Sequence, residues 1–74
     1  MSQSFGQKLV GIAFNPSGNI LIDAVKQNAA DTIDLIQDNM KSATSEEACM
    51  IHKEAISRIM DAQMWAVKAI TWKG

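Results

Sequence analysis

Two apolar stripes at helical spacing, separated by a link of four residues, constrain this chain more than any other feature. Ile22, Val25, Ala29, Ile33, Ile36 and Met40 step by three and four, the pattern of one buried helix face. The run predicts a helix from about Asn19 to Met40, with Gln27, Asp31, Asp34 and Asp38 largely on the other side. After the link Lys41–Thr44, a second long helix is expected from about Ser45 to Trp72. Thr44 and Glu47 have capping-box spacing, and Glu46 adds negative charge to the first turn, where the helix dipole favours it. Two long helices joined by so short a link fold back on each other as an antiparallel hairpin.

In the last helix Ala48, Ala55, Ala62 and Ala69 recur every seven residues, with His52, Ile59 and Ala66 at the intervening position. A stripe of small side chains lets another helix approach closely. Ile56, Met60, Met64 and Val67 form a second apolar flank. One flank suits the hairpin partner and the other suits a further subunit. Upstream, a short helix is predicted over about Ser4–Ala13. Ser4 and Gln7 have capping-box spacing, Phe5, Leu9 and Ile12 share a face, and Gly6 and Gly11 weaken the segment. The expected fold class is all-α: a short N-terminal helix plus a long antiparallel helical hairpin, in one domain over residues 1–74.

A chain of 74 residues is near the size at which a single core barely suffices. No covalent or metal staple compensates. Cys49 is the only cysteine and His52 the only histidine, which excludes an internal disulfide and a structural zinc site. Yet 47% of the residues are hydrophobic, more than a helical hairpin hides, so a homo-oligomer is expected. A net charge of −1 with seven scattered Lys and Arg argues against a duplex nucleic-acid binder, but a small anionic ligand needs only local cations. Residues 1–14 lack the basic start and continuous apolar stretch of a secretory leader, and no run is long enough for a membrane span. A soluble, cytoplasmic protein without a membrane partner is the expectation, and an unpaired cysteine is compatible with a reducing compartment.

Three constellations invite a chemical reading. Phe14-Asn15-Pro16-Ser17-Gly18-Asn19 opens the second helix, with either Asn15 or Asn19 as its cap. Such a turn presents backbone N–H groups at the positive end of a helix dipole, and Asn15, Ser17 and Asn19 can hydrogen-bond phosphate or ribose oxygens there. Lys26, two turns further on, would add a point charge. The plainer reading is an ordinary helix start, with Lys26 solvated or snorkelling at the edge of the core stripe. Near the C-terminus Lys68, Thr71 and Trp72 lie within about one turn, and Trp65 and Trp72 share a face. Repeated Lys68 and Thr71 side chains around a symmetry axis would ring a small anion, and the indoles would stack on bases. The plainer reading makes both tryptophans oligomer or core anchors. Cys49, His52 and Glu54 yield no nucleophile–base–orienter set, and Asp31, Asp34 and Asp38 read as a solvated face. Nothing here makes a positive case for an enzyme, and no cofactor is implied.

The pattern F-N-P-S-G-N-x-x-x-D-x-V-K at Phe14–Lys26, together with M-W-A-V-K-A at Met64–Ala69, resembles a family of small phage proteins. These are the cyclic-nucleotide sponges related to anti-CBASS protein 2, whose helical hairpin is shared with anti-Thoeris protein 1. The resemblance runs from Val10 to Trp72. It implies a hexamer that binds cyclic oligonucleotide messengers of bacterial anti-phage systems without cleaving them. By that resemblance Lys26 holds a cyclic dinucleotide phosphate, and Lys68 faces the phosphates of a cyclic trinucleotide near a three-fold axis. Some members place a stacking tyrosine before the second helix. This chain has no tyrosine, and counting back from Lys26 puts Gly11 in that place. Phe14 or a tryptophan is the substitute, or the dinucleotide site is altered. The rival from another class is a small helical module that docks a host protein through its alanine and tryptophan face.

Overall fold

The structure, a computed structural model, describes residues 2–74. Among them there are three helices and no strand: α1 (Phe5–Val10), α2 (Ile20–Met40) and α3 (Glu46–Thr71). The short N-terminal helix followed by two long ones matches the expected architecture. α1 is shorter than expected because Gly11, at φ +64°, ends it in the left-handed conformation, and its amide bonds back to the Lys8 carbonyl. The capping box of Ser4 and Gln7 is present in both directions, at 3.1 and 2.9 Å. α3 is capped by Ser45 and not by Thr44: the Ser45 hydroxyl accepts from the Ala48 amide at 3.1 Å.

α2 and α3 run antiparallel. Ile33 and Ile56 meet in one cluster with Val10 and Ala30, flanked by Leu9, Ile12, Ala29, Ile36 and Ile59. Near the hairpin tip, Asn39 Nδ2 lies 2.9 Å from His52 Nε2. The other ring nitrogen, Nδ1, lies 2.6 Å from the Ala48 carbonyl and must therefore carry the proton. The start of α2 thus stands beside the end of α3. α1 packs mainly against α2. It buries Gly6 and Val10, whereas Phe5, which shares a face with Leu9 and Ile12 by its spacing, is exposed.

The backbone spans 45 × 32 × 12 Å, with a radius of gyration of 13.7 Å. A compact chain of this length would have a radius of about 11 Å. The short axis falls below the roughly 13–15 Å that the Cα atoms of two stacked helix layers occupy. The protein is therefore a slab. Leu35, Met50, Ile51, Met64 and Trp65 are among the large apolar side chains left exposed on it. No helix of the structure is long and apolar enough to cross a membrane.

Candidate functional site

Both ligand-like constellations lie at the same end of the hairpin, one on the approach to α2 and the other on the last turns of α3. The first is a closed polar turn. Of its two possible caps, Asn19 is the one used: its Oδ1 accepts from the Leu21 amide at 2.8 Å, and its carbonyl accepts from the Ile22 amide at 3.1 Å. Asn15 Nδ2 donates to the same carbonyl at 2.8 Å and to Asp23 Oδ1 at 2.9 Å. The Ser17 hydroxyl donates to Asn15 Oδ1 at 3.0 Å. Asn15, Ser17 and Asn19 are thus brought together as the sequence suggested, but they are aimed at one another and at the backbone. The Asp23 carboxylate already sits in the first turn of α2, at the positive end of the dipole.

Lys26 differs from the plainer reading of its setting. It is 6% exposed, neither solvated nor snorkelling. Its Nζ donates to the Gly11 carbonyl at 3.0 Å and to the Phe14 carbonyl, and it lies 5.5 Å from the centroid of the Phe14 ring. A buried ammonium needs such partners, since an uncompensated charge away from water is very costly. Lys26 therefore ties the connection between α1 and α2 to the flank of α2.

The second constellation is open. Lys68 is exposed, with Nζ 5.1 Å from the Trp65 ring centroid and 5.9 Å from that of Trp72. Trp65, one turn before Lys68 on α3, and Trp72, the extended residue that caps the end of α3, bring both indoles to the lysine. Both indoles are more than 60% exposed, so the ammonium and two aromatic faces remain accessible together. Trp65, Lys68, Ala69 and Trp72 line a shallow cleft of about 340 Å³. On the other side of Trp65 and Lys68 a second depression of about 320 Å³ is bounded by Asp61 and Met64. Thr71 lies one turn beyond Lys68, but its hydroxyl proton is directed back to the Val67 carbonyl at 2.9 Å, which leaves the oxygen as an acceptor.

Two residues have structural roles that the sequence reading missed. Gln63 is 6% exposed and its Oε1 has no hydrogen-bond partner. It lies seven residues after Ile56 on α3, so the heptad spacing itself marked the position as inward. Asp34, read as part of a solvated row, accepts from the Gly6 amide at 2.7 Å and anchors the N-terminus of α1. Among the described residues no group of His, Cys, Asp and Glu is arranged to hold a metal ion, and Cys49 is a free, partly buried thiol. Comparison of the chain with protein-family models, with curated proteins and with solved structures gives no match in any of the three.

Proposed function

We propose that this protein binds and sequesters cyclic oligonucleotide second messengers without cleaving them, and so blocks bacterial anti-phage signalling in the host cytoplasm. The observation that carries the reading is the exposed Lys68 ammonium set between the exposed indoles of Trp65 and Trp72. A phosphodiester ring offers anionic phosphates and flat bases in alternation. A lysine flanked by two aromatic faces offers the complementary pair of contacts. Thr71, one turn away, adds an accepting oxygen for a ribose hydroxyl or a base amine. The sequence patterns at Phe14–Lys26 and Met64–Ala69, which resemble those of the anti-CBASS sponges, support the same assignment.

The reading takes the protein as a homo-oligomer, a hexamer by resemblance. A slab this thin with large apolar side chains on its surface gains most by covering them with further copies. Symmetry then repeats Lys68 and Thr71 around one pocket for a cyclic trinucleotide, and Asn15, Ser17, Asn19 and Lys26 contribute to another for a cyclic dinucleotide. A rigid ring loses little conformational entropy on binding, so a few contacts suffice. Sequestration needs tight, reversible binding and no catalytic group.

Native mass spectrometry with a panel of cyclic di- and trinucleotides, followed by heat release and chromatography of the ligand, tests the reading. Intact nucleotide released from an oligomer is the expected result. A linear product would make the protein a phosphodiesterase. A monomer that retains no ring, with a host protein bound instead, would make it an adaptor.

A further inference from the structure

The geometry points to residues 11–18 being a hinged strap latched shut by Lys26, so that a phosphodiester reaches this lysine only by replacing the carbonyls of Gly11 and Phe14. The segment is bracketed by two glycines in the left-handed region, Gly11 and Gly18, both at φ +64°. A Cβ at Gly18 would meet nothing within 4 Å, so the glycine there serves the backbone conformation alone. Between the hinges Ile12 stays packed against the core cluster, and the part that can lift, residues 13–18, makes few ties to the body. At its inner edge Lys26 Nζ holds the Gly11 and Phe14 carbonyls; at its outer edge Asn15 holds the Asn19 carbonyl and Asp23. The Gly11 and Ile12 amides bond back to the Lys8 and Gln7 carbonyls of α1; beyond them the backbone bonds are local, the Phe14 amide to the Gly11 carbonyl at 2.9 Å and the Gly18 amide to the Asn15 carbonyl at 3.1 Å. Phe14 is 71% exposed, so its ring adds little apolar anchoring. Beyond Ile12, the inner attachment therefore passes through one ammonium.

That ammonium is buried, and two of its three donors are committed to the strap. Phosphate oxygens are stronger acceptors for a cation than neutral carbonyls, so the exchange is chemically favourable once the strap lifts. The latch stands on these contacts alone; the identity of the displacing anion rests on the cyclic-nucleotide reading.

Site-resolved amide hydrogen exchange on the full-length protein separates the two. In the ligand-free protein the Phe14 and Gly18 amides should exchange through a local opening, well before the core amides of Ile33 and Ile56. Lys26→Met should speed exchange at Phe14 and Gly18 about tenfold, the cost of hydrogen bonds to a charged group, and leave the core amides unchanged. Strap amides that exchange only together with the core in the wild type would overturn the hinge, and this arm needs no variant to fold. Equal acceleration everywhere in the variant would overturn the latch. Cyclic di-AMP is then added as probe, with altered exchange at Phe14 and Gly18 expected. Binding that leaves both amides unchanged would refute the displacement, whereas absence of any binding would refute this ligand and leave the latch standing.

Discussion

The backbone amide of Gly6 bonds Oδ1 of Asp34 across 2.7 Å, joining the first turn of α1 to the side of α2. The contact satisfies a donor that a six-residue helix leaves open and sets a carboxylate at its positive end. It is possible only because residue 6 has no side chain: a Cβ built there would fall on the Ala30 carbonyl oxygen.

Gly6→Ala should therefore push α1 off α2. A loss of about 1–3 kcal/mol is expected, the usual cost of overpacking. Urea titration followed by circular dichroism reads it. Asp34→Ala should weaken the same junction by orphaning the Gly6 amide, and the two effects should not add, because they break one contact.

Gly18 gives a cleaner backbone test. With open space around its Cβ position, Gly18→Ala should cost about 1–2 kcal/mol through the left-handed conformation alone. Gly18→Asn should recover part of that, since asparagine tolerates the region better. Equal melting temperatures for glycine and alanine would show that the turn relaxes.

Gln63 carries a buried oxygen without a donor. Gln63→Met keeps the length and removes the polar atom. The variant should be more stable by about 1 kcal/mol, seen as a higher denaturation midpoint at unchanged slope. A loss of stability that grows with protein concentration would instead show that a second copy supplies the missing donor.

Lys68 lies on the surface between two tryptophans, so Lys68→Ala should leave thermal stability within about 0.5 kcal/mol of wild type. It should still shift the tryptophan emission, since the cation leaves both rings. Under the proposed function it should also weaken cyclic trinucleotide binding about tenfold or more by calorimetry, in line with a charge-assisted contact.

The helices were legible because Ile22, Ile33, Ile36, Ile56 and Ile59 announce an inward face by side-chain type and spacing together. Lys26 and Gln63 occupy the same inward rows with polar side chains, and a pattern scored on apolarity passes over them. Phe5 shows the opposite error. It shares an apolar face with Leu9 and Ile12, but the α1 contact runs through Gly6 and Val10, and at Gly6 the close approach to the Ala30 carbonyl requires the absence of a side chain. In the second constellation the arrangement was readable from spacing, as Trp65 and Lys68 lie one turn apart on α3 and Trp72 caps its end. The closed state of the turn at Asn15–Asn19 was not readable. Asparagine and serine donate and accept with equal ease toward backbone, ligand or each other, and which partner wins is decided only by the folded geometry.

The 12 Å short dimension has a consequence for how such a chain can change over time. In a body this shallow no side chain is far from an outer boundary, so the positions that keep it folded border those that meet its surroundings. A substitution selected to alter recognition is felt at once by the packing beneath it. Variants of this protein should therefore drift in coupled pairs across the slab, with few positions free to vary alone.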